Sequence, residues 1–359
     1  MTVVLVAAPL MARSGVYNSL FDLVECAREA GLPWEGRVGV RPDAPGPQRH
    51  NEFVTEQTVV KHGLSVIPEV YGLMKPFTCA GSDSFVITMI TQSDVAAALH
   101  GVGSRRRRDS WVAYIRGLPW PAEGEQSRIR RLALKALEAA SLKVSREVWA
   151  STPVLAEDIS PTVSSTVIPA GIRSIPRSNF GQLADGEIVW AGRLDVDKDP
   201  QLFVDACTEV GRRGVLYGDG PLKSALEDRV SWWAELAGWA DMTQVWPTSS
   251  LYLGTSKREA FGRSAVEAAL AGVPMVIGRD YGAAEYLITD PQLASICIVA
   301  SRRPADWAES IQTVLSDPGL MRAISDHVHE NAQALTVEAS VNAVQARLNT
   351  LGDDQRLTA

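Results

Sequence analysis

An α/β chain of two doubly wound parallel sheets facing each other across a cleft is the fold this sequence predicts. Three observations predict it. Short branched or aromatic runs alternate with helix-forming runs through both halves, the pattern of repeated strand–helix units. Glycine-bearing turns stand where several of those strands pass into helices. The 359 residues, 46% hydrophobic and 21% charged, are enough for about two globular domains, each burying its own core.

In the first half, residues 2–8 read as a buried parallel strand and residues 9–15 as a loop. Val16, Leu20, Leu23, Val24 and Ala27 then mark one helical face. Gly15 falls at this strand-to-helix turn, where a missing side chain admits a ligand phosphate, although a plain turn uses glycine equally well. Residues 41–48 are a proline- and glycine-rich loop, and residues 50–80 show no assignable period. A strand over 85–90, a helix over 93–99 and a strand over 111–115 follow, with Arg105, Arg106, Arg107 and Arg108 between the last two. Residues 127–145 are a long basic amphipathic helix. Its Ile129, Leu132, Leu134, Leu137 and Ala140 approximate one face, which is expected to pack on the core and leave the charges wet. Strands over 147–151 and 167–171 close the half.

The second half repeats the scheme. A strand over 188–191 leads through Gly192-Arg193-Leu194 to a helix over 200–210. A strand over 215–217 leads into Gly218-Asp219-Gly220-Pro221. The apolar run 251–253 precedes a loop holding Glu259, Phe261 and Gly262, then an alanine-rich helix over 264–271 that Gly272 and Pro274 stop. Strands over 275–278 and 295–300 and helices over 305–315, 320–335 and 337–351 complete the chain, with fraying from Asp353.

Chemistry concentrates in the second half. A strand, a glycine turn and a helix aim backbone N–H groups and a positive helix end at an anion. Glu259 precedes that helix and Glu267 lies about one turn inside it. A diphosphate on the helix start would therefore have a sugar near one glutamate and a ribose near the other. Arg193 and Lys198, at the turn after an earlier strand, are placed to meet phosphate charge by charge-assisted hydrogen bonds, whereas either alone would pass for a surface ion pair. The indoles of Trp232, Trp233, Trp239 and Trp246 all suit a core.

Other features narrow the class. A net charge of −7 at pH 7 argues against a protein that coats polyanions but leaves room for a local basic patch. The four arginines from Arg105 read as a solvated loop or as a site for an anionic acceptor, nucleic acid included. No aromatics interleave them to form a stacking platform. Met1-Thr2 runs into apolar residues without a basic leader, and no run is long enough to span a bilayer, so a cytoplasmic location is expected. Cys26, Cys79, Cys207 and Cys297 are scattered and read as free buried thiols. Asp195-x-Asp197 invites a metal reading, but it lies inside the Arg193–Lys198 stretch with no supporting carboxylate or histidine cluster. His327 and His329 are too close in sequence to share a helical face.

Taken together these stretches resemble the retaining GT-B glycosyltransferases of family 4. Glu259 and Glu267, with seven residues between them, are similar to the Glu-x7-Glu motif, and Phe261-Gly262, Glu267-Ala268 and Gly272-Val273-Pro274 stand in register with it. Gly192-Arg193-Leu194 with Lys198, and Gly218-Asp219-Gly220-Pro221, are similar to two further family elements. The resemblance implies a UDP- or GDP-sugar as donor, no cofactor and no metal. It also implies front-face transfer to a hydroxyl, the departing phosphate helping to deprotonate it. Arg193, Lys198 and Glu259 would be catalytic. Gly15, Gly192, Gly218, Trp239, Phe261, Gly262, Arg263 and Glu267 would bind donor, and Arg116, Arg105 and Arg106 would face the acceptor. Residues 1–172 would form the acceptor domain and 173–335 the donor domain, with 336–359 a helix crossing back to the first. The chain departs from the family at Arg116, where many relatives have histidine, and at Ala170, where many have asparagine. Open acceptor classes are a small molecule, a glycan or lipid, a protein, or a modified nucleic-acid base. A nucleotide-sugar epimerase and a non-catalytic nucleotide-sugar-binding protein would share the same donor residues.

Overall fold

A computed structural model describes residues 2–77, 84–101, 110–117, 127–179, 186–230 and 232–358. The chain divides into two compact units, Met1–Arg173 with Thr336–Ala359, and Ser174–Leu335.

The first unit is built on β1 (Thr2–Leu10), β2 (Trp34–Val40), β3 (Val54–Thr58), β4 (Ser84–Thr88), β5 (Trp111–Ile115), β6 (Glu147–Ala150) and β7 (Thr166–Val167). They pair in the order β3-β2-β1-β4-β5-β6-β7, all parallel. Helices α1 (Gly15–Glu29), α2 (Val66–Met74), α3 (Thr91–Gly101), α4 (Arg128–Leu142) and α5 (Pro153–Ile159) connect them. All of β1 after its first residue is buried, as a central parallel strand covered on both faces must be. The C-terminal helix (Val337–Thr358) completes this core: Val341, Val344 and Leu348 pack with Tyr17, Leu20 and Val24. Trp34 Nε1 donates to Gln345 at 3.2 Å, and Arg347 Nε lies 2.9 Å from both Glu147 carboxylate oxygens.

Two expectations for this half change. Residues 50–80 contain β3 and α2; β3 is a half-exposed edge strand with a polar sequence, so it carries no hydrophobic alternation to read. The apolar face of α4 does not pack on the core. Ile129, Leu132 and Leu134 are 84%, 57% and 38% exposed, and the helix instead buries Glu138, Ser141 and Leu142 near its end. A hydrogen bond of 2.8 Å from Thr91 lets Glu138 occupy an inward place that hydrophobic patterning reserves for an apolar side chain.

The second unit contains β8 (Glu187–Ala191), α6 (Pro200–Val210), β9 (Gly214–Tyr217), α7 (Lys223–Glu227), β10 (Ala234–Gly238), α8 (Met242–Val245), β11 (Ser249–Gly254), α9 (Arg263–Leu270), β12 (Met275–Gly278), α10 (Ala284–Leu287), α11 (Pro291–Cys297), β13 (Ile298–Val299), α12 (Pro304–Ser316) and α13 (Pro318–Ala332). Its parallel sheet runs β10-β9-β8-β11-β12-β13, so strand order reverses between β8 and β11. Such a reversal opens a crevice at the strands' carboxyl ends. The expected strand over 295–300 shrinks to Ile298 and Val299. Asp290 caps α11 by accepting from Gln292 N and Leu293 N, and Pro291 starts it, so helix claims residues as far as Cys297.

Cys207 and Cys297 are free and buried, Cys26 is free and partly buried, and Cys79 lies outside the described residues. Among the described residues no helix is long and apolar enough to cross a membrane. Because Leu348 is fully buried, Leu348→Ala is expected to lower unfolding free energy by about 2–5 kcal/mol in urea titrations; an unchanged midpoint would mean that the C-terminal helix is not part of this core.

Candidate functional site

The loops leaving β8 and β11 meet at the reversal of the second sheet. After β8, Gly192 N donates to Tyr217 O at 3.0 Å and Leu194 N to Asp219 O at 3.0 Å, which locks the Gly192–Leu194 turn against the turn after β9. Gly218 is required there: its φ of +140° is open to glycine, and a Cβ would collide with the Gly192 carbonyl oxygen. Backbone thus packs on backbone where both turns open toward the strands' carboxyl ends.

From this base the chain delivers Lys198. Its ammonium contacts the Glu259 carboxylate in a pair whose side chains are 27% and 16% exposed. Burial pulls the Lys198 pKa down, but Glu259, with weaker help from Tyr281 and Asp195, lifts it above the ordinary 10.5. Asp195 accepts from Lys198 N at 3.1 Å, so this carboxylate shapes the turn. Trp190 Nε1 donates to Thr255 Oγ1 at 3.0 Å, which in turn donates to Asp199 O at 2.8 Å, tying the exit of β11 to the start of α6. Arg302 draws in the carbonyls of Thr255 and Ser256 at 2.6 and 2.7 Å. Asp199 is left-handed at φ +48°, the one such non-glycine residue among those described, and its carboxylate lies 3.5 Å from Lys257 Nζ. Sequence reasoning missed Thr255, Asp199 and Arg302; Asp followed by Pro200 at a helix start was the only local signal.

The loop carrying Glu259 is clamped by residues 280–283. Glu259 N donates to Asp280 O at 3.2 Å, Gly282 N to Glu259 O at 2.9 Å, and Ala283 N to Phe261 O at 2.9 Å. Phe261 is buried, and Gly262, at φ +93°, admits the Tyr281 ring where a Cβ would stand 2.6 Å from it. The Tyr281 hydroxyl joins those of Tyr252 at 3.1 Å and Ser256 at 3.2 Å, and Tyr252 reaches Ser264 at 2.8 Å. Nothing in the spacing of the sequence marks Tyr281 for this place under the loop. On α9, Glu267 lies 3.9 Å from Arg263, one turn apart.

The remaining candidates are distributed as follows. The Arg193 side chain is 70% exposed and lies 3.5 Å from Asp195. Trp239, just past β10, is 80% exposed, as is Trp232 at 86%, while Trp246 is core. Gly15 and Arg116 belong to the first unit. Gly15 is the first residue of α1. Arg116 is buried, donates to Ser19 on α1 and stacks 4.7 Å over the Tyr114 ring, so it has a structural task that the sequence did not indicate. Arg105 and Arg106 lie outside the described residues. Among the described residues no three histidine, cysteine, aspartate or glutamate side chains group as metal ligands.

Residues 185–317 match the family described as Glycosyl transferases group 1. The chain carries a glycosyl transferases group 1 domain. This domain contains Gly192 through Glu267 and spans most of the second unit. The D-inositol 3-phosphate glycosyltransferase of Saccharomonospora viridis is 26% identical over 238 residues, 58% of this chain and 54% of that protein. The chain spans about half the length of the curated relatives it matches. In fold, the chain is similar to sucrose-phosphate synthase from Thermosynechococcus elongatus, with a TM-score of 0.79 at 17% identity over 99% of this chain and 100% of that one. It is also similar to HepE from Anabaena in complex with UDP and glucose, with a TM-score of 0.72 at 15% identity over 98% and 100%. The two-sheet architecture with the group 1 domain is the GT-B fold.

Two outcomes test this geometry. Gly218→Ala should cost more than about 2 kcal/mol by denaturant titration, and a neutral result would contradict the packing of the two turns. A lysine whose folded pKa is raised contributes stability below pH 10.5 that is lost as pH climbs through the higher folded value. Lys198→Met should therefore weaken the alkaline fall in stability above pH 10.5; an unaltered fall would show that Glu259 does not hold the ammonium.

Proposed function

We propose that this chain is a retaining glycosyltransferase of family 4, moving a sugar from a nucleotide-diphosphate sugar to a hydroxyl acceptor without a metal. The observation that carries the reading is the Lys198–Glu259 contact at the carboxyl ends of β8 and β11, within a group 1 domain. In this reading Arg193 and Lys198 meet the charge that grows on the diphosphate as the anomeric carbon–oxygen bond breaks. Glu259 and the Phe261–Arg263 backbone hold the sugar, Glu267 holds the ribose hydroxyls, and Trp239 covers the base. Gly192 and Gly218 keep the phosphate-side turns close. Gly15, at the start of α1, is also assigned to donor binding. The leaving phosphate oxygen takes the acceptor's proton as the new carbon–oxygen bond forms on the same face. HepE, similar in fold, is in complex with UDP and glucose, which supports a UDP-sugar as the first donor to try.

A D-inositol 3-phosphate glycosyltransferase among the relatives makes a phosphorylated polyol the acceptor to examine first. A cytoplasmic site of action accords with a sugar-nucleotide donor.

A thermal-shift screen of UDP, GDP, ADP and TDP with their sugars identifies the donor, because a ligand held only by the folded state raises its stability. With that donor, Arg193→Ala and Lys198→Ala are expected to lower kcat by about 10²–10³-fold, and Glu267→Ala to raise the donor KM with a smaller effect on kcat. A chelator should leave the rate unchanged. Wild-type rates in all three variants would overturn the assignment, and donor turnover with no acceptor present would favour an epimerase.

A further inference from the structure

The first ten residues of α4, from Arg128 to Leu137, include no buried side chain. Helices this short are marginal in water without tertiary packing. Their apolar groups are nonetheless ordered. Ile129, Leu132, Ala133 and Ala136 recur at helical spacing i, i+3, i+4 and i+7 and are all exposed, with Ile129 at 84% and Leu132 at 57%. Glu138, Ser141 and Leu142, which anchor the helix, lie on its opposite side. Arg128 and Arg130 stand one residue to either side of Ile129, about 100° around the helix each way. Both are exposed.

From this arrangement we infer that α4 is a docking surface for an anionic lipid bilayer. An apolar stripe flanked by guanidinium groups suits the boundary between headgroups and acyl chains: Ile129 and Leu132 enter the apolar layer while Arg128 and Arg130 remain among the phosphates. A nucleic-acid surface would instead centre its cations and leave the apolar residues nothing to bury. The charge is local, since the whole chain carries −7. The contact is reversible and weak, because two large side chains bury little area and the helix supplies only part of the attraction. The inference is independent of the transferase reading.

Co-sedimentation of the full chain with vesicles of equal parts phosphatidylglycerol and phosphatidylcholine tests it, with phosphatidylcholine vesicles and a duplex DNA fragment as comparisons. Binding is expected to the anionic vesicles at low salt and to fall in high salt or without phosphatidylglycerol. Arg128→Ala and Arg130→Ala should each weaken it about fivefold. The charge-neutral pair Ile129→Ser and Leu132→Ser should weaken it by roughly tenfold or more. All four positions are exposed, so the fold is expected to survive, as circular dichroism would show. Absence of vesicle binding, or binding that survives the serine pair, overturns the inference. DNA binding lost in the arginine variants, without vesicle binding, would reassign the surface to nucleic acid.

Discussion

A half-buried lysine held against a glutamate is the interaction around which the second unit is arranged. Removing an ammonium and a carboxylate from water is costly, and the cost is recovered only when both are held at close range. The surroundings of Lys198 and Glu259 meet that demand from two directions. The β8 side fixes Lys198 through Asp195, the left-handed Asp199 and the Thr255 hydroxyl. The β11 side fixes Glu259 through three backbone hydrogen bonds to residues 280–283. Two loops far apart in sequence are thereby held in one register at the place where the strand order reverses.

The same constraint accounts for the glycines. Gly218 lets the turn after β9 rest on the turn after β8, and Gly262 lets Tyr281 slide beneath the Glu259 loop. Each removes a side chain where backbone or ring must pass, so the precision of the site is a property of packing beneath it as much as of the charged groups above. A substitution at Tyr281 or Arg302 would disturb Glu259 without touching its carboxylate.

How much of this was legible in the sequence depended on how local each signal was. Strands β5 and β12 and helix α6 were read at the bounds observed, because buried parallel strands and an Asp-Pro helix start announce themselves within a few residues. β3 and β10 escaped because edge strands are not obliged to be apolar on both faces, and residues 295–297 misled because the short apolar run they open reads equally as strand, although Asp290-Pro291 upstream marks a helix start. The amphipathic pattern of α4 was read correctly as a pattern but given the wrong destination, since Glu138 could be buried once Thr91 was beside it. In the site, charged residues within motifs were legible, and their supports were not. Thr255, Asp199, Arg302 and Tyr281 act through contacts that span between 29 and 65 residues of chain. No window of sequence displays such pairings.

The central claim is that Lys198 and Glu259 act as one coupled unit on the donor. Calorimetric titration of UDP-glucose into the wild type, Lys198→Met, Glu259→Gln and the double variant measures that coupling directly. The account predicts non-additive losses, with an interaction energy of roughly 0.5–3 kcal/mol. Strictly additive losses, or binding unchanged in both single variants, would contradict it.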